Sequence, residues 1–264
     1  TDTASGDAIL LYLEGSTVVG RVGGETGDIA FTLDVDANGT VTLDQRRAIA
    51  HDDPSDPVEA APDAAETLAS AGLITLTASV TDGDGDTASA TVNIGQTLRF
   101  EDDGPAIDAM IADDDAYAQT SDAALPGSDS AVLNLGALFG YSGADDGADG
   151  EGSISESFAL TLLVAEGSAS GLSSGGQAIN LFISADGTVV TGSTAGSGGG
   201  VGVANTVFTV SLAPDGTLTL SQMQPIDHAP GSDSVMLPNG LIGADYGVTI
   251  TDGDGDSVTD TTSN

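Results

Sequence analysis

The stretch Val80-Thr81-Asp82-Gly83-Asp84-Gly85-Asp86-Thr87 returns almost unchanged as Ile250-Thr251-Asp252-Gly253-Asp254-Gly255-Asp256-Ser257. An apolar alternating run leads into each copy, Leu73 to Val80 in the first and Tyr246 to Ile250 in the second. Another, Thr87 to Ile94, leads out of the first. A period of two on either side of a Gly/Asp turn spells strand, turn, strand. Three aspartates at alternate positions also crowd three carboxylates into one turn, where like charges repel and raise one another's pKa. A hard cation removes that penalty. Calcium is the expected one, because it accepts roughly six to eight oxygens in flexible geometry and glycine lets the backbone wrap around it. The candidate ligands are Asp82, Asp84 and Asp86, and again Asp252, Asp254 and Asp256.

The turn is not an EF-hand loop. Counted from the first Asp, the places of its glycine and closing glutamate hold Thr87 and Asn93, and in the second copy Ser257 and Ser263. Nor does any stretch spell the nonapeptide calcium repeat. The competing reading is a solvated hairpin turn, since Asp and Gly are ordinary turn formers.

The repetition extends well beyond the turn. Ala8-Ile9-Leu10-Leu11-Tyr12 matches Ala178-Ile179-Asn180-Leu181-Phe182, and Phe31-Thr32-Leu33 matches Phe208-Thr209-Val210. Asn38-Gly39-Thr40-Val41-Thr42-Leu43 matches Asp215-Gly216-Thr217-Leu218-Thr219-Leu220, and Ile49-Ala50-His51 matches Ile226-Asp227-His228. The offset is about 170 residues at both ends and about 177 between them, with length changes confined to loops, as a duplicated strand framework tolerates. The first copy lacks anything like residues 131–175. The chain therefore reads as cut from a tandem array, or from a module interrupted upstream of Thr1.

Charge narrows the partners. There are 41 acidic residues against 4 basic ones, a net charge of -37, and no lysine. Nucleic acid is excluded as a partner, because phosphate binding needs Lys and Arg. Anionic membrane surfaces are disfavoured, and no run is long enough to insert into a membrane. Asp outnumbers Glu 33 to 8, which puts the acid in turns between strands. With no cysteine there is no disulfide staple, and metal ions are another way to hold a small core together. Trp is absent and aromatics are 4%, so the core must come from Val, Ile, Leu and Ala.

In chain order, residues 1–104 form a first β-sandwich module, 105–130 an acidic linker and 131–264 a second module. Asn38-Gly39 between alternating runs marks a hairpin, and Asp63-Ala64-Ala65-Glu66 before Gly72 reads as the start of a short helix. Further candidate ion ligands are Asp145, Asp146 and Asp149 in a glycine loop, and Asp102 and Asp103 at the joint between modules. His51 and His228 occupy equivalent places. One histidine per copy, without a partner His or Cys, reads as a hydrogen-bonded loop residue rather than a zinc ligand. No nucleophile elbow or catalytic triad is present, and an enzyme is not expected.

The order strand, Thr-Asp-Gly-Asp-Gly-Asp turn, strand, then Glu101-Asp102-Asp103-Gly104-Pro105 resembles the repeats of giant RTX-type adhesins exported by type I secretion. Gln224-Pro225-Ile226-Asp227-His228 and Tyr141 to Gly150 resemble the same repeats. The resemblance implies tandem Ig-like antiparallel β-sandwiches, calcium at turns and joints, and a monomeric extender on the bacterial cell surface that contacts neighbouring modules of its own chain. The alternative is a module of the same adhesin that grips a cell-surface glycan or peptide through loop calcium. A halophilic surface protein would account for the acid without a specific ion.

Overall fold

A computed structural model describes residues 1–51, 65–101, 103–112, 116–125, 127–230, 232 and 234–264. Seventeen strands make the described chain all-β, with only short 3-10 turns between them. The first copy supplies β1 (Ile9–Glu14), β2 (Thr17–Val22), β3 (Ile29–Val35), β4 (Val41–Gln45), β5 (Thr75–Thr81) and β6 (Thr87–Asn93). Between the copies run β7 (Ala106–Ile111), β8 (Asp129–Asn134), β9 (Phe139–Asp145), β10 (Glu151–Leu162) and β11 (Ala169–Ser174). The second copy supplies β12 (Gln177–Ile183), β13 (Val189–Ser193), β14 (Thr206–Leu212), β15 (Thr217–Gln222), β16 (Ile242–Asp252) and β17 (Ser257–Ser263). Among the described residues no helix is long and apolar enough to cross a membrane.

The duplication is visible in the sheet order. The first copy forms a four-stranded antiparallel sheet β1-β2-β3-β4. The second forms β12-β13-β14-β15 with β11 and β8 added at its two edges. The hairpins follow suit: among the described residues β5 pairs with β6 alone, whereas β16 and β17 share a sheet with β10. Even irregularities recur. Gly20 lies opposite Phe31 and Gly192 opposite Phe208, each beside a register shift in its strand. A Cβ at Gly20 would stand 2.5 Å from the Phe31 ring, and one at Gly192 2.3 Å from the Phe208 ring. The phenylalanine lies over the bare backbone of its neighbour, so both Gly20→Ala and Gly192→Ala should destabilise the chain by about 1–3 kcal/mol through ring displacement. Chemical denaturation of the two variants checks this.

By contacts the chain divides into two units. The first is Thr1–Ala106, Ala144–Ile154 and Ile250–Val258; the second is Ile107–Gly143, Ser155–Thr249 and Thr259–Asn264. The first unit's core is small: Ala30, Phe31, Ile49 and Phe100 in one cluster, Leu33, Ile74 and Leu98 in another, with the Phe31 and Phe100 rings 4.9 Å apart. In the second unit Ile179, Leu181, Val190, Val207 and Val248 are fully buried. There Tyr246 stacks on Phe139 at 5.4 Å and meets Phe158 at 5.3 Å. Its hydroxyl donates to Glu156 at 2.7 Å, and burial with that carboxylate pushes the phenol pKa upward.

Three expectations are adjusted. The stretch 105–130 is not a plain linker, since it carries β7 and the start of β8. The linear division at 131 does not follow the contacts either, because 144–154 and 250–258 join the first unit. The short helix before Gly72 does not form in the described part. Asp63 and Ala64 lie outside the described residues, Glu66 forms a β-bridge with Phe100, and only a 3-10 turn at Ala71–Leu73 follows.

Candidate metal centre

The two acidic turns have the same internal geometry. In each, the first aspartate's N–H donates to the carbonyl of the third, at 2.9 Å from Asp82 to Asp86 and 3.0 Å from Asp252 to Asp256. In each, the first aspartate's Oδ1 accepts from the glycine and aspartate three and four residues on. The distances are 3.1 and 2.9 Å at Asp82, and 3.1 and 2.9 Å at Asp252. Gly85 and Gly255 close the turns with φ of 99° and 111°, a backbone state that side chains disfavour.

Their surroundings differ. Asp82, Asp84 and Asp86 are exposed, although their carboxylates lie close enough to share an ion. Hydrogen bonding with the Asp84 carboxyl and the Asp86 N–H holds Asp82 below the usual carboxylate range. The mutual repulsion expected from the sequence would have raised it. In water, the turn's own donors outweigh screened repulsion. Asp252 sits only 4% exposed and Asp256 2%. Burial first, and the neighbouring Asp254 carboxyl second, push Asp252 up to about 6.

The buried turn recruits a partner from a distant part of the same unit. Asp149, itself buried, brings an oxygen into a group with Asp252 and Asp254 whose ligand atoms all lie within 4.8 Å of one another. Thr3 Oγ1 donates to Asp149 Oδ1 at 2.6 Å. The segment carrying Thr3 is fixed by Asp2, whose buried carboxylate receives Arg47 Nε at 2.6 Å and Nη2 at 3.1 Å. The Arg47 guanidinium holds Asp2 below its ordinary pKa. The His51 N–H donates to Asp254 Oδ2 at 2.9 Å, while the His51 ring faces the Phe100 carbonyl through Nε2 at 3.2 Å.

Two of these carboxylates thus spend one oxygen on the protein. Asp252 Oδ1 is taken by the turn and Asp254 Oδ2 by His51. The remaining oxygens, Asp252 Oδ2 and Asp254 Oδ1, are buried with no hydrogen-bond partner among the described residues. A buried carboxylate oxygen left so is costly, and several in one place are what a cation would satisfy. The donors are all oxygen, which suits a hard divalent ion such as calcium or magnesium. The residues present therefore fit the group expected from the sequence.

The other sequence candidates fare differently. Asp145 is exposed and accepts from the Gly147 N–H at 3.2 Å, and Asp146 is half-buried; neither joins the cluster. The Asp103 side chain is exposed and its carbonyl receives the Ala148 N–H at 3.3 Å, while Asp102 lies outside the described residues. Asp227 is occupied by the Gly175 and Gly176 N–H groups and Ser173. His51 is buried and hydrogen-bonded; the Nδ1 of His228 is 4.0 Å from Asp122. Sequence reasoning placed Asp149 and Asp252 in separate sites and missed Thr3. The signal available was the glycine spacing around Asp149, which resembles that of the turns.

Fold and site define a class: an acidic, antiparallel all-β repeat protein whose turns carry converging carboxylates. Within it, the chain belongs to the family described as Domain of unknown function (DUF5801), whose model matches residues 1–95 and 109–263, one stretch on each copy of the repeat. No curated protein and no solved structure matches the chain.

Proposed function

We propose that this chain is a calcium-stabilised extender of a secreted bacterial adhesin, built from Ig-like sandwich modules and holding a distant binding domain away from the cell. The observation that carries the reading is the buried group Asp149, Asp252 and Asp254, with two carboxylate oxygens that no described residue satisfies. An ion there cross-links residues about a hundred apart in sequence and fixes them to the N-terminal segment through Thr3. Such a staple suits a chain with no cysteine and a net charge of -37. Extracellular modules bind calcium at about 0.1–1 mM, so the chain would cross the low-calcium cytosol loosely folded and set outside. Isothermal titration with calcium, set against magnesium and against sodium chloride, tests this. Saturable calcium binding in that range supports it, whereas stabilisation by general salt alone points to a halophilic surface protein.

One observation favours the ligand-binding alternative. A groove of about 550 Å³ in the first unit is lined by Asp2, Gln45, Arg46, Arg47 and Asp149 among others. It collects two of the four basic residues beside the carboxylate site. A glycan or peptide array read with and without calcium separates the readings, since a pure spacer binds nothing.

A further inference from the structure

We propose that the outer edge of β5 is a docking site for a strand-and-loop segment with the chemistry of Phe139–Leu162, supplied by a further copy of the repeat. When that segment is seated, Asp82, Asp84 and Asp86 become the counterpart of the buried carboxylate site. The docking stands on the comparison of the two hairpins; only its cation dependence rests on the calcium reading above.

The two hairpins are the same object in different company. Besides their matching turns, they share a cross-strand hydroxyl pair at the same register, Ser79 with Ser89 at 2.8 Å and Thr249 with Thr259 at 2.7 Å. Yet β16 has β10 on its outer edge, and β5 has no neighbour there among the described residues. Val248 and Ile250 are fully buried, while Ala78 and Val80 at the matching positions are exposed, Val80 by 67%. Val92 on the pairing strand is 55% exposed. A Cβ at Gly253 would stand 2.4 Å from the Asp149 carbonyl oxygen, whereas one at Gly83 would meet nothing within 4 Å among the described residues. The first hairpin therefore keeps the glycine, the apolar residues and the carboxylates that serve the second, without the segment they serve. A two-stranded ribbon exposed on both faces is marginal in water, and an open edge bearing the exposed Val80 is a template for another strand.

The occupant is narrowed by the rest of the sheet. β1 and β4 also have open outer edges among the described residues, where the second copy has β11 and β8. All three missing neighbours, β8, β10 and β11, come from the single stretch 129–174, which this chain carries once. A repeat segment matches that set of edges, and an unrelated peptide does not. The tip's three carboxylates match an acidic loop arriving with a shared cation, as Asp149 would share one with Asp252 and Asp254.

The test is titration of a synthetic peptide, Phe139–Leu162, into the full chain, followed by amide NMR in calcium and in chelator. The expected result is shifts over Thr75–Thr81 and Asp82–Asp86 in calcium. Affinity should fall at least about tenfold for a peptide carrying Asp149→Ala. Gly83→Ala should leave the chain's own melting unchanged and abolish the binding, because the seated loop needs the approach that Asp149 makes to Gly253. Shifts confined to β16, no binding, or binding indifferent to Gly83→Ala would overturn the proposal. So would concentration-dependent pairing of β5 with β5 of a second molecule. Full binding in chelator supports the docking edge and removes only its cation dependence, while calcium titration of the chain tests the buried site, so the two fail separately.

Discussion

Calcium added to the chelated protein at pH 7 should raise the thermal midpoint by about 5–10 °C, and Asp252→Asn should remove most of the rise. The size follows from linkage: an ion at a hundred times its dissociation constant stabilises by about 2.7 kcal/mol, and each kcal/mol moves a chain of this length by about 2–4 °C. The variant also has a sign that a merely damaged protein would not show. In chelator, Asp252→Asn should melt higher than the parent, because it removes a buried charge facing Asp254. In calcium it should melt lower. The pH dependence follows from the same group. Asp252 is raised to about 6 from an ordinary 3.8, so the folded state binds its proton more tightly than the unfolded chain. The resulting stability is fully present below the unfolded value and is lost as pH rises through about 6. The chelated protein should thus melt higher at pH 5 than at pH 7. The calcium increment should shrink over the same interval, since protons and ion compete for one carboxylate. Carboxyls held low, such as Asp2 by Arg47 and Asp227 by backbone N–H groups, work the other way, but only near and below the ordinary range. Differential scanning calorimetry of both proteins at pH 5 and 7, with chelator or calcium, separates the effects. A parent midpoint indifferent to calcium at pH 7 would sink the ion.

The strands were legible because their periodicity is local. Ile29 to Val35, with its Asn-Gly turn, and Thr75 to Asn93 read directly from alternation. β7, β9 and β11 were not, since Ala106–Ile111 does not alternate apolar with polar, Ala169–Ser174 is nearly all small residues, and these strands owe their form to their neighbours. The duplication was visible as text, but its consequence was not. Identical turns titrate in opposite directions because one is buried and the other solvated, and burial is a property of distant segments. Asp149 meets Asp252 only after a hundred residues have folded between them, and no local spacing announces that meeting.

That contrast yields the second large effect, a matched pair of substitutions in the same turn. Gly253→Ala should cost about 1–3 kcal/mol from overpacking alone, because its methyl would stand 2.4 Å from the Asp149 carbonyl oxygen, a backbone atom that cannot swing aside. It should also abolish the calcium increment, since relief of the clash moves Asp149 away from Asp252 and Asp254. Gly152→Ala should behave alike, its Cβ falling 1.9 Å from the Thr251 carbonyl oxygen. Gly83→Ala, at the corresponding place in the first copy, meets open space and should stay within about 0.5 kcal/mol of the parent with its calcium response intact. Sequence treats Gly83 and Gly253 as one residue seen twice, so a helix or strand propensity argument assigns them equal costs. Unequal costs, with the ion response lost in one variant alone, are what a loop seated on only the second turn requires. Equal melting shifts in the two variants would mean that the Asp149 loop does not press on that turn, and the carboxylate site would come apart with it.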